Sequence, residues 1–178
     1  MFENELGRID LLVLDVDGVM TDGKIIVAPN GDEIKEFNVR DGAGIKYWRR
    51  AGKKVAIISG RKSQAIAIRA RDLGADAVRL DAKDKMLAYE QILQELQVAK
   101  DRVAVMGDDL PDLPVMKQCA FPVAVADAVW EVKQAAAYIT KLGGGQGCVR
   151  EVVELILKQS GLWNQILSRY LPNQDRAR

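Results

Sequence analysis

Residues 11–23 read LLVLDVDGVMTDG: four aliphatic residues run straight into Asp15-Val16-Asp17-Gly18, with Thr21-Asp22-Gly23 close behind. So short an apolar run, bounded by turn residues, is the pattern of a strand buried on both faces. Similar runs recur at Lys54 to Ile58, Ala77 to Leu80, Arg102 to Met106 and Phe121 to Val125. Between them, Gly42 to Gly52, Ser63 to Leu73, Lys83 to Gln97 and Asp112 to Gln118 carry apolar residues at three- or four-residue spacing, as crossover helices do. Such alternation builds right-handed βαβ units. The expected fold is α/β, a Rossmann-like three-layer sandwich around a central parallel sheet.

One segment breaks the alternation. Lys24 to Ala28 and Glu33 to Val39 are strand-like and flank the turn residues Pro29-Asn30-Gly31-Asp32, which predicts a β-hairpin inserted after strand one, over residues 24–39. Its Ile25, Ile26, Val27, Ile34, Phe37 and Val39 have no obvious cover in the chain, so the hairpin is expected to pack against another subunit.

A chain of 178 residues, 48% hydrophobic, can bury one good core, and a single domain is expected: a core over 8–158 and a C-terminal extension over 161–178. In that extension Trp163, Ile166, Leu167 and Tyr170 suggest a short amphipathic helix packing at a subunit edge, and the polar tail from Pro172 is expected to fray. The 26 basic and 25 acidic residues are interspersed, which leaves no field to draw in nucleic acid or a membrane surface. The start, MFENELGRID, has no basic or apolar leader, and no aliphatic stretch is long enough to span a bilayer, so a cytoplasmic protein is expected.

There is no histidine, which excludes Ser-His-Asp hydrolysis, phosphohistidine chemistry and imidazole-based zinc sites. Cys119 and Cys148 form no CxxC pair, and Val125 and Glu154 stand where a thiolate phosphatase loop needs arginine. Both thiols read as buried residues rather than nucleophiles or a disulfide. Acid, base and metal work falls to carboxylates.

In an open parallel sheet the strand ends converge on one edge, where ligands bind. Here four successive strands end in reactive residues: Asp15 and Asp17, then Ser59-Gly60-Arg61, then Lys83 and Lys85 at a helix start, then Gly107-Asp108-Asp109 with Asp112 beyond. Carboxylates clustered at one spot repel unless a hard cation neutralises them, and oxygen ligands on a tight turn suit Mg²⁺. With Asp15 and Asp108 on the ion, one Asp15 oxygen could attack phosphorus while Ser59 and Lys85 hold phosphoryl oxygens. Asp17 could protonate the leaving alcohol and then activate water. Gly18 would let the backbone turn close to the metal. Singly, each piece has an ordinary reading: a turn, a strand-to-helix junction, a solvated lysine, a capped helix start. Those readings do not predict all four on one sheet edge.

The stretches DVDGVMTDG (15–23), ISGR (58–61), Lys85 and GDDLPD (107–112) resemble the four motifs of the haloacid dehalogenase superfamily. FNVRDGAGIK (37–46), VAVADA (123–128) and GGGQGCVRE (143–151), with the hairpin, resemble the 3-deoxy-D-manno-octulosonate 8-phosphate phosphatases within it. That resemblance implies a capless, homotetrameric, Mg²⁺-dependent phosphatase of a sugar-acid phosphate, in which neighbouring subunits help close the site. By position, Asp15 is then nucleophile and metal ligand, Asp17 acid/base and a ligand through its carbonyl, and Asp108 the third ligand, with Asp109 and Asp112 supporting metal waters. Substrate contacts would come from Asp17, Asn38, Val39, Arg40, Asp41, Gly42, Lys46, Gly60, Arg61, Arg69 and Lys85. Lys46 stands where arginine is common in the family and cannot make a bidentate fork.

Two other functions are compatible with parts of this pattern. A response-regulator receiver also gathers acidic residues, a hydroxyl and a lysine on a sheet edge, but with a different order along the chain, and a non-catalytic binding module would be expected to have lost one of these groups. Within the phosphatases, a nine-carbon sialic-acid-type 9-phosphate is the alternative substrate. Gly143 to Gly147 lacks the Lys-Ser/Thr of a nucleotide-binding loop. It reads either as a flexible connection into a helix from Cys148, or as a loop that lets Arg150 or a backbone amide reach a neighbouring subunit's substrate.

Overall fold

The structure, a computed structural model, describes residues 6–171, so the tail expected to fray from Pro172 lies outside the described residues. The central sheet is formed by β1 (Leu11–Leu14), β4 (Lys54–Ile58), β5 (Ala77–Arg79), β6 (Val103–Gly107), β7 (Phe121–Ala124) and β8 (Tyr138–Ile139). All are parallel, in the order β5-β4-β1-β6-β7-β8. β1 is central, with Leu11 in register with Lys54 on one side and Val103 on the other. Its four residues are buried, as the unbroken aliphatic run requires.

The helices are α1 (Val39–Arg50), α2 (Gln64–Leu73), α3 (Lys85–Leu96), α4 (Leu113–Met116), α5 (Trp130–Ala135), α6 (Cys148–Gln159) and α7 (Trp163–Leu167). From β1 to β4 to β5 the chain steps one way across the sheet and then crosses back to β6. Right-handed crossovers therefore put α1 and α2 on one face and α3 on the other. α6 packs against α1, while α4 packs against α3 and α5. Among the described residues the two fully buried large aromatics are Trp48 of α1 and Tyr89 of α3, and Trp48 Nε1 donates to Lys54 O at 2.6 Å.

The hairpin is present but shorter than expected: β2 (Ile26–Val27) pairs antiparallel with β3 (Glu33–Ile34). Val39, expected in its second strand, instead opens α1, because the Asn38 side chain accepts the Arg40 N–H at 2.8 Å and caps a helix there. Ile25, Ile26, Val27, Ile34 and Val39 are exposed, as anticipated. Phe37 is not: it packs on the core beneath the Arg69 guanidinium.

Two elements were absent from the sequence reading. α5 and the two-residue edge strand β8 lie in a stretch too short and mixed to show a period. The C-terminal extension packs on its own chain. Ile166 is buried, and the Trp163 and Tyr170 rings both meet Tyr47 of α1 edge-on with centroids 6.0 Å apart. Both cysteines are free thiols, and burial pushes Cys119 up to about 12 and Cys148 above the ordinary thiol range. Among the described residues no helix is long and apolar enough to cross a membrane.

Candidate active site

Asp15 is the first residue past β1, and its N–H donates to Met106 O at 3.2 Å, which pins it between β1 and β6 where the chain order reverses. Three residues later the chain doubles back at Gly18, with φ +97°, and a Cβ there would run into the Asp108 carboxylate. Only glycine lets the turn after β1 come this close to the turn after β6. The same holds at Gly107, where a Cβ would lie 2.5 Å from that of Asp112. That approach lets Asp112 Oδ2 accept the N–H groups of Asp108 at 3.1 Å and Asp109 at 3.3 Å.

α3 delivers the cation. Asp84 caps it by accepting Leu87 N–H at 3.0 Å, and Lys85 in its first turn reaches Asp15 Oδ1 at 2.6 Å and Asp112 Oδ1 at 2.7 Å. Ser59, at the end of β4, is buried, and its Oγ accepts Arg61 N–H at 3.2 Å. Asp15, Asp17, Ser59, Gly60, Arg61, Lys85, Asp108, Asp109 and Asp112 all line one cleft of about 690 Å³.

Carboxylate oxygens of Asp15, Asp108 and Asp112 lie within 4.8 Å of one another, facing one ammonium. Burial and then the Asp112 charge push Asp15 up to about 7 against the pull of Lys85. Burial, with Asp15 and Asp112, pushes Asp108 up to about 8. Burial disfavours the Lys85 ammonium, but the two carboxylates outweigh it and hold its pKa above the ordinary lysine value. Such a cluster is short of positive charge. Its donors are all oxygen, which fits a hard divalent cation and excludes a soft one.

The other expected site residues divide. Asp17 turns its carboxylate onto Lys35 rather than into the acidic cluster, while Asp112, expected in a supporting place, stands inside it. Asp109 caps the turn before α4 by accepting Leu110 N–H at 2.8 Å. Arg61 bonds Glu33 of the hairpin at 2.8 Å. Asn38, Val39, Arg40, Asp41, Gly42, Lys46 and Arg69 do not line the cleft. Asp41 is buried and accepts Arg150 N–H at 2.8 Å at the start of α6. Burial raises its pKa, and the backbone N–H groups of Arg150, Gly147 and Val149 partly offset this. Arg69 pairs with Asp72 at 2.8 Å, and Gly42 packs directly under its guanidinium. Lys46 borders a separate surface hollow with Arg49 and Arg50.

Lys35 is the functional candidate that sequence reading missed. A lysine on a hairpin edge reads as a solvated charge, and only the tertiary contact with Asp17 distinguishes it. The glycine cluster is packed against the turn after β1 rather than being a plain flexible connection. Gly145 N–H donates to Val19 O at 2.9 Å, and side chains at Gly144 or Gly145 would strike the backbone of residues 18–22, so the loop braces the catalytic turn from behind. Arg150 is held within its own chain, by Glu154 at 2.6 Å and over the rings of Tyr47 and Trp163.

Comparison with known proteins agrees with this geometry. A model of haloacid dehalogenase-like hydrolases matches residues 81–148. The 3-deoxy-D-manno-octulosonate 8-phosphate phosphatase KdsC of Escherichia coli is 44% identical over 154 residues, 86% of this chain and 82% of that protein. The structure of such a phosphatase from Moraxella catarrhalis, in complex with magnesium ion, phosphate ion and KDO, superposes with TM-score 0.92 at 34% identity, covering 95% of this chain and 97% of that one. The one from Yersinia pestis superposes with TM-score 0.89 at 43% identity, covering 91% and 88%.

Proposed function

Since this chain belongs to the 3-deoxy-D-manno-octulosonate 8-phosphate phosphatase family of haloacid dehalogenase-like hydrolases, we propose that it hydrolyses 3-deoxy-D-manno-octulosonate 8-phosphate to the free sugar acid and phosphate. The observation that carries this reading is the cluster of buried Asp15 and Asp112 with half-buried Asp108 around Lys85 on the sheet edge. Asp15 attacks phosphorus in line and forms an aspartyl-phosphate as the bond to the leaving oxygen breaks. Asp17 gives that oxygen a proton, then takes one from the water that cleaves the aspartyl-phosphate and regenerates Asp15. Lys85 and Ser59 hold phosphoryl oxygens in place. Asp15, Asp108 and the Asp17 carbonyl would hold Mg²⁺, with Asp109 and Asp112 supporting them. When bound, the ion neutralises the carboxylates and draws charge from the phosphoryl oxygens.

The cleft is open, the insertion after β1 is only a hairpin, and the cations expected to meet the sugar acid, Lys46 and Arg69, lie outside that cleft. This supports a homotetramer in which the exposed hairpin faces associate and Asn38 to Arg40, Lys46 and Arg69 complete a neighbour's site. The whole chain acts as one phosphatase domain, in the cytoplasm, and its product is a sugar acid used in lipopolysaccharide biosynthesis. The test is phosphate release from a panel of sugar phosphates with Mg²⁺. The octulosonate 8-phosphate should lead by about two orders of magnitude, about 2.7 kcal/mol of transition-state preference. A lead for a nine-carbon 9-phosphate would replace the substrate and keep the mechanism, and no release from any of them would refute the function.

A further inference from the structure

We propose that Lys35 is a positioning residue for Asp17, so that the inserted hairpin is part of the catalytic apparatus as well as an assembly surface; this rests on the phosphatase reading above. The hairpin around Lys35 is open to solvent, with Val27 64% and Ile34 49% exposed, yet the Lys35 side chain is 1% exposed. A lysine at a sheet edge ordinarily extends into water. Here it turns inward and pairs with Asp17 Oδ1 and, at 3.2 Å, with Glu33 Oε1. An ammonium withdrawn from water this far is fixed in place by its partners.

The contact continues beyond Asp17. Glu33 Oε1 also accepts from Arg61 at 2.8 Å. The chain Asp17, Lys35, Glu33, Arg61 therefore ties together the turn after β1, the hairpin and the turn after β4. Those are the two turns that carry the nucleophile, the acid/base and the phosphate-binding hydroxyl.

For Asp17 the effect is orientational. Oδ1 is held by Lys35, and among the described residues Oδ2 has no hydrogen-bond partner, while Asp17 lines the cleft beside Asp15. One oxygen is anchored and the other is left to carry a proton to and from the reacting oxygen. A general acid must stand within hydrogen-bond reach of its target, and a freely rotating carboxylate spends most of its time elsewhere. Lys35 itself does not line the cleft, so it acts through Asp17 and not on substrate.

The test compares kcat/KM for a sugar phosphate and for p-nitrophenyl phosphate in wild type, Lys35→Arg and Lys35→Met. This ratio reports only the steps up to loss of the alcohol. A sugar alkoxide must be protonated as it leaves; a nitrophenolate need not be. Lys35→Met should lower the sugar-phosphate value about a hundredfold, the scale of a general-acid contribution, and leave the aryl value within about threefold. Lys35→Arg should recover part of the loss. In an Asp17→Asn background, Lys35→Met should change neither value further. An equal fall for both substrates would mean that Lys35 only holds the hairpin, and no fall would mean that it does nothing for Asp17. Either result overturns the proposal while leaving the phosphatase intact. A wild type inactive on both substrates would overturn the function and this proposal with it. If Lys35→Met does not fold, the selective loss is read from Lys35→Arg, and an unchanged substrate ratio there counts against the proposal.

Discussion

Raising the pH in the absence of divalent metal should destabilise this protein, and Mg²⁺ should reverse the effect. Asp15 rises from an ordinary 3.8 to about 7 in the folded chain, and Asp108 from 3.8 to about 8. Folding therefore increases the proton affinity of both. Wherever the native state binds more protons than the unfolded one, stability falls as pH rises. The window runs from about pH 4, the unfolded value, to about pH 8, the higher folded one. At ~1.4 kcal/mol per pH unit, the Asp15 displacement alone has a ceiling of about 4 kcal/mol. Asp15 raises Asp108 and Lys85 pulls both down, so the displacement belongs to the cluster rather than to either carboxyl, which leaves a loss on the order of 2 kcal/mol. For a chain of this size that is roughly 4–8 °C in Tm. Mg²⁺ binds the ionised cluster of the folded state alone, so at a hundredfold excess over Kd it should return about 2.7 kcal/mol at pH 8 and little at pH 5. The assay is thermal melting from pH 5 to 8.5, with EDTA or with Mg²⁺, for wild type and Asp108→Asn. Asp108→Asn should show a flatter metal-free slope and a smaller Mg²⁺ response. Metal-free stability that rises across this window, or an equal Mg²⁺ shift at both ends of it, would refute the reasoning.

Trp48→Ala should cost about 3–5 kcal/mol by leaving a cavity on the α1 face, read as a fall of roughly 10 °C in Tm. Gly18→Ala combines a positive φ with a Cβ directed at the Asp108 carboxylate. We expect a fold that persists but kcat about a hundredfold lower, since a misplacement of about 1 Å at a reacting group costs that much. Val27→Lys charges the exposed hairpin face and should shift the proposed tetramer to smaller species in sedimentation, whereas an unchanged mass would place the interface elsewhere.

The parts legible in the sequence are those dictated by local physics. β1, β4 and β6 are buried on both faces and must be continuous aliphatic runs, and the acidic and hydroxyl turns follow because strand ends are where a parallel sheet presents side chains. Less legible was anything decided between distant segments. Val39 looks like a strand residue by type, but the Asn38 cap commits it to α1. Phe37 looks unpartnered until Arg69 and the core close over it. Asp41 sits among expected substrate contacts, yet in this structure it serves the N-terminus of α6, more than a hundred residues away in sequence. Asp112 could be placed near the metal by its distance from Asp108, but only the close packing at Gly107 shows that its carboxylate enters the cluster and shares Lys85 with Asp15. Lys35 had no local signal, because its burial depends on Asp17 and Glu33 both meeting its ammonium.

The most direct test of nucleophilic catalysis by Asp15 is to trap the covalent intermediate. In Asp17→Asn with Mg²⁺ and p-nitrophenyl phosphate, the leaving group needs no proton, but the water that should cleave the intermediate lacks its base. Acid quench and peptide mass mapping should then show one phosphoryl group on the peptide carrying Asp15, absent from the Asp15→Asn, Asp17→Asn double variant. Phosphate on the Ser59 peptide instead, or steady wild-type turnover with no phosphorylated peptide in the trapping variant, would contradict it.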